Sequence, residues 1–336
     1  MRKKMPAGFL AGLALIGCAV WLAGSYGPLR SYVQDVKQGG AADAAVIAVA
    51  NAEPESDDAR LLAYIQSEAD KRMQQPVDAV IDRVWKAIPG YDGRTVDVQA
   101  TYGKAKSLRA SPGDKGFPWI YKAIKPKVSL KDLPVQPIYK GNAGKPSVAL
   151  MINVAWGDEY LAPMLDILKE AGVKATFFFD GTWLSKHMDT AKAIIAQGHE
   201  VSNHAYTHPD MSKLGAARQR EEIGRTEELL KKLGVRNEWF APPSGYYNAN
   251  TVKVASEFGL RTVLWTLDTI DWMKPDPSAV VEKVSRKVGP GSLILMHPTS
   301  TSRGALAGMI KAIRAKGLTP GTVSETLSSE RTDVRL

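Results

Sequence analysis

A chain of 336 residues can bury one full hydrophobic core and still carry a second, smaller module. A hydrophobic content of 44% with 24% charged residues excludes a disordered chain, and a single cysteine excludes an internal disulfide and any multi-thiolate metal centre. The net charge of +9 is concentrated in residues 103–145, where ten Lys/Arg face only Asp114 and Asp132.

The chain opens with a basic "MRKKMPAG", followed by the apolar run "FLAGLALIGCAVWLAG" at 9–24. This pattern predicts export, with residues 1–27 acting as a signal peptide or a short membrane anchor. The run is just under the roughly 17–25 residues that cross a bilayer. Cys18 closes a lipobox-like "LIGC", but the apolar run continues beyond it, which favours an ordinary position inside the run. Residues 28–59 read as a tether.

"DDARLLAYIQSEADKRMQ" (57–74) places Leu61, Leu62, Ile65 and Ala69 at helical spacing, with Asp57 or Asp58 as the N-cap. "PVDAVIDRVWKAI" (76–88) reads as a second helix after an N1 proline. "RTVDVQATY" then alternates like a strand. Residues 60–145 are therefore expected to form a small α+β module with a basic, Pro-rich connector. Such a connector suits an anionic wall polymer or an anionic membrane face, or is simply a solvated linker. An exported chain without a reading motif is not expected to bind nucleic acid.

From residue 146 the pattern alternates strand and helix. Expected strands are "SVALMINVA", "KATFFFD", "HEVS", "EWFA", "RTVLWTL", "GSLILMH" and "GTVSE". Continuous apolar strands separated by helices imply a parallel sheet covered on both faces. Seven such units predict a distorted, incomplete (β/α) barrel, with its chemistry at the C-terminal ends of the strands. Polar groups gather at those ends: Asn153 to Glu159, Asp180, His204 and His208, "APPSGYYN", "DTIDW" and His297.

Two imidazoles with a carboxylate make a zinc-type site that leaves one position open for water. Pro209 disfavours helical geometry at His208, so the pair in "NHAYTHPDM" is expected on a turn. Asp271 lies between Ile270 and Trp272 and needs a partner. His297, at the end of "LILMH", supplies one, and an Asp–His pair suits a general acid.

The ordered motifs "NHAYTH", "FAPPSGYYN", "WTLDTIDW" and "LILMH", spread over roughly residues 146–327, resemble the polysaccharide deacetylases of carbohydrate esterase family four (the nodulation-type deacetylase domain). "MINVAWGDEY" and the stretch before it are similar to a sporulation-associated branch of that family. The resemblance implies a divalent metal, zinc in most members, held by His204 and His208. It also implies His297 as general acid with Asp271 behind it, the Ser244 N–H as an oxyanion donor, and Trp272 and Leu295 as pocket walls.

Two departures stand out. The family's Asp-Asp-Gly turn, which gives a base and the third metal ligand, is replaced by Asn153, Val154 or Ala155. Its arginine is replaced by Ala241. A buried carboxylate and its arginine are lost together because either alone is an unpaired charge. Asp158 or Glu159 is then expected as third ligand or base, although carboxylates are also favoured there simply as a helix N-terminus. The expected activity is metal-dependent removal of N-acetyl groups from an amino-sugar polymer of the cell wall or spore envelope, by a monomer. The alternative is a catalytically impaired glycan binder that stacks sugars on Trp156, Tyr246, Tyr247 and Trp272, or a scaffold whose basic connector and N-terminal module do the work.

Overall fold

A computed structural model describes residues 56–331. The segments expected from sequence as signal or anchor and most of the expected tether lie outside the described residues. None of the described helices is long and apolar enough to cross a membrane. The chain divides into two units, residues 1–64 and 65–336, with helix α1 (Asp57–Arg72) spanning the boundary. Ser56, not Asp57 or Asp58, caps α1. Its Oγ accepts the Ala59 N–H at 3.2 Å, and the two aspartates lie in the first turn, where they complement the helix dipole.

The stretch 76–88 is not a helix. It forms an antiparallel hairpin of β1 (Val80–Asp82) and β2 (Lys86–Ile88). Asp82 Oδ1 accepts the N–H groups of Val84 and Trp85, both at 2.7 Å, and this side-chain turn outcompetes the helical pattern. The expected strand at 94–102 is cut short as well. β3 (Gly93–Val96) pairs with β4 (Tyr121–Ile124), and Asp97 caps α2 (Val98–Leu108) by accepting the Ala100 N–H at 3.0 Å.

The basic connector is held against the rest of the second unit rather than free. Ile138 is fully buried and bridges both Lys86 and Val263. Lys145, also buried, donates to the carbonyls of Glu325 and Ser328 at 2.5 and 2.7 Å.

The main sheet contains β5 (Ser147–Val154), β6 (Thr176–Phe179), β7 (Glu200–Asn203), β8 (Trp239–Phe240), β9 (Arg261–Thr262), β10 (Leu267–Asp268) and β11 (Leu293–Met296). They run parallel in the order β10–β11–β5–β6–β7–β8–β9, a half-barrel, with β12 (Thr319–Gly321) paired to β5 off that path. The run "RTVLWTL" is therefore not one strand. Its first part edges β8 and its second edges β11, so the segment between them spans the gap of the incomplete barrel. "GTVSE" splits too: Thr322 and Glu325 form a capping box that starts α10 (Val323–Leu327).

β5 is buried along its whole length, and its parity positions the site. Val148, Leu150, Ile152 and Val154 pack into the core between sheet and outer helices. Ala149 and Met151 face the barrel interior with Phe178, Trp239, Ala241, Val263 and Leu293. Each large apolar side chain buried this way contributes about 1.5–3 kcal/mol. The strand therefore delivers Asn153 to the interior and Val154 to the helix layer.

Candidate functional site

A cavity of about 430 Å³ opens at the C-terminal ends of the strands. Asn153, Ala155, Trp156, His204, His208, Ser244, Tyr246, Trp265, Asp268, Trp272, Leu295 and His297 line it. A second hollow of about 560 Å³, around Lys145, Lys174 and Glu325 at the other ends of the strands, is lined by no imidazole among the described residues.

The histidine pair sits on a turn, as the proline implied. Ala205 and His208 both adopt left-handed backbone, with φ 61° and 55°, and the two rings are 5.1 Å apart, edge to face. Strain of this kind persists only where the surroundings enforce it, and here α6 (Ala216–Lys232) does so. Buried Glu222 accepts the N–H groups of Tyr206 and Thr207 at 3.0 and 2.7 Å and the Thr207 hydroxyl at 2.8 Å. Thr226 donates to the Ala205 carbonyl at 2.8 Å, and Asn203 Oδ1 accepts the Ala205 N–H at 2.8 Å. The sequence reading missed Glu222 because an acid inside a charged helix looks like solvated surface.

His204 is buried. Its Nδ1–H donates to the Ala241 carbonyl at 2.7 Å, which directs the Nε2 lone pair toward Asn153 Nδ2 at 3.3 Å. Burial, and then the neighbouring His208, push its pKa well below the usual histidine value. Burial also lowers the pKa of His208, against the opposing pull of Asp180.

Asp271 is fully buried and accepts five hydrogen bonds. They come from His297 Nδ1 (2.9 Å), the His297 N–H (2.8 Å) and the hydroxyls of Thr269 (3.2 Å), Thr299 (3.0 Å) and Ser302 (2.6 Å). Burial alone would raise its pKa, but these donors outweigh it and hold the carboxyl below the usual aspartate value. The His297 ring is thereby fixed, with Nε2 free for the cavity it lines, and Trp156 lies parallel to it at 6.0 Å between centroids. Gly157 permits this approach. At φ 88° it sits against the Pro298 carbonyl, where a Cβ would come within 2.0 Å.

The structure brings together His204, His208, Ser244, Tyr246, Trp156, Trp272, Leu295 and His297, with Asp271 directly behind His297. Asp158 is not among them. It starts α3 (Asp158–Glu170), where its Oδ1 accepts the Trp183 indole N–H at 2.5 Å and its Oδ2 lies 3.8 Å from His187. Glu159 is exposed and also lies outside the cavity lining. Tyr247 turns away to meet the Tyr139 hydroxyl at 2.9 Å. Trp265 and Asp268 join the cavity without having been assigned a role from sequence, although both lie inside the "WTLDTIDW" motif.

A site of the family's kind needs a third protein ligand beside the two imidazoles. Among the described residues, no group of three His, Cys, Asp or Glu is placed to hold a metal ion. The interior positions at the end of β5 carry Asn153 and Ala155 in place of carboxylates, and Val154 points into the helix-side core. The Asn153 amide already occupies the His204 lone pair. Its Oδ1 is buried and has no hydrogen-bond partner among the described residues. The donor set present does not fit a catalytic metal.

Comparison with known proteins agrees with this partial site. A polysaccharide deacetylase model matches residues 140–263. The uncharacterized protein YlxY of Bacillus subtilis is 45% identical over 258 residues, covering 76% of this chain and 80% of that protein. A peptidoglycan-N-acetylglucosamine deacetylase of Bacillus cereus is 35% identical over 176 residues, covering 52% of this chain and 63% of the relative. The crystal structure of wild-type BA3943 from Bacillus anthracis, described as a CE4 family pseudoenzyme, is 42% identical. It covers 81% of this chain and 96% of that one, with a TM-score of 0.76. A BA3943 mutant described as having restored enzymatic activity is 40% identical, covers 81% of this chain and 99% of its own, and has the same TM-score. On the strength of the motifs, the half-barrel and these relatives, the chain belongs to the polysaccharide deacetylase family, carbohydrate esterase family four, in a branch with a degenerate first and third motif.

Proposed function

We propose that this protein is a non-hydrolytic glycan-binding member of the family, exported and acting on an amino-sugar polymer of the cell wall or spore envelope. One observation carries the reading. The strand end that should provide a base and a third metal ligand provides Asn153 and Ala155, and the Asn153 amide faces the histidine nitrogen that would bind the ion. Neither side chain can take a proton from water or complete a zinc site. The aromatic rim remains: Trp156, Tyr246 and Trp272 are each about half exposed at the cavity mouth, as sugar-stacking faces would be.

The intact Asp271–His297 pair supports the hydrolase as a second reading, since a general acid has no evident use in a simple binder. Zinc analysis of the purified protein, amine release from acetylated wall glycan and calorimetric titration with N-acetylglucosamine oligomers test both. Glycan binding is expected with substoichiometric zinc and no amine release. Amine release that His297→Gln abolishes would overturn the binding reading in favour of the enzyme.

A further inference from the structure

The charge balance of the cavity points to the chemical class of its ligand. Among the described residues no lysine or arginine lines it, its titratable bases are the imidazoles of His204, His208 and His297, and Asp268 is its only lining carboxylate. Asp271 is not available to a ligand, because it is fully buried under five donors. Asp268 is different. Its Oδ1 accepts the Ile270 N–H at 2.8 Å, which fixes the group at the end of β10, and the side chain is only partly buried. Among the described residues no basic side chain forms an ion pair with it. Trp156, Tyr246, Trp265 and Trp272 line the same cavity.

A fixed, unpaired carboxylate among aromatic faces is the arrangement that recognises an ammonium group. A neutral N-acetylated sugar can offer Asp268 only neutral hydroxyl or amide donors, weaker than an ammonium, and an acidic sugar would be repelled by it. We propose that the cavity prefers amino-sugar units carrying a free ammonium, that is, de-N-acetylated glycan. This inference rests on the glycan-binding reading above and deepens it: the cavity would read what deacetylation leaves behind.

The full chain is titrated by calorimetry with glucosamine tetramer and with N-acetylglucosamine tetramer at low salt and slightly acid pH. The glucosamine tetramer is expected to bind about tenfold more tightly, with the preference shrinking as salt is added. Asp268→Asn keeps the acceptor for the Ile270 N–H and is expected to bring the ratio between the two ligands toward one. Equal or stronger binding of the acetylated tetramer, or a ratio unchanged by Asp268→Asn, would overturn this inference and leave glycan binding standing. Binding of neither tetramer would overturn both.

Discussion

The two halves of the cavity are built to different standards. On the side of β7, β10 and β11, each chemical group is held by several others: the histidine turn by Glu222, Thr226 and Asn203, and His297 by a carboxylate with five donors. On the side of β5 and β8, small and neutral residues stand where charge would be required, namely Asn153 and Ala155 in the lining and Ala241 buried beside it, and Asn153 Oδ1 has no hydrogen-bond partner among the described residues. The difference shows that the acid half does not depend on the base half for its architecture. Apart from the His204 ring, which bonds the Ala241 carbonyl and the Asn153 amide, its hydrogen bonds run backward into α6 and the β11 loop, so the charged groups on the other side can be lost without collapse.

Breaking the well-built half should have the largest effect. Asp271→Ala leaves the buried donors of Thr269, Thr299, Ser302 and His297 unmatched, and is expected to cost about 3–5 kcal/mol in urea unfolding. Glu222→Ala is expected to cost about 3 kcal/mol, because two backbone N–H groups and the Thr207 hydroxyl lose a charged acceptor. Glu222→Gln should recover part of that loss. A full-strength Glu222→Ala protein would show that the turn is held by its own backbone.

Rebuilding the other half sharpens the contrast. Asn153→Asp with Ala155→Asp places carboxylates at the two interior-facing positions and is expected to raise bound zinc toward one per chain. In chelator the same variant should be about 2 kcal/mol less stable, from unpaired buried charge. Asp at Val154 should destabilise without recruiting zinc, since that side chain faces the helix-side core.

The smallest effect is the pH slope. Burial lowers the pKa of His204, and that of His199 to about 4, below the unfolded value near 6.5. The unfolded chain then binds more protons, so stability is complete above about 6.5 and declines as pH falls toward the folded values. His204→Asn and His199→Asn should each flatten part of that slope, as measured by melting temperature between pH 7 and 4.

The alternation of apolar strands and amphipathic helices was legible in the sequence, because each β/α unit buries one stripe against its neighbour and writes that need into local periodicity. So were the histidine turn, through Pro209, and the pairing of Asp271 with His297, through a carboxylate stranded among apolar residues. Residues 76–88 were not, since Val77, Val80, Ile81, Val84, Trp85 and Ile88 satisfy helical spacing while Asp82 caps a hairpin turn. Nor was "RTVLWTL", whose two ends serve opposite edges of an open sheet.

For the site, only the tertiary structure decided that Asp158 pairs with Trp183 outside the cavity, and that Asp268 faces into it. It also decided the parity of β5. A strand buried on both faces carries no hydrophobic alternation to reveal which side is the barrel interior. That choice, which points Asn153 at His204 and hides Val154 in the core, was made by the packing of helices on one face and of the interior cluster on the other.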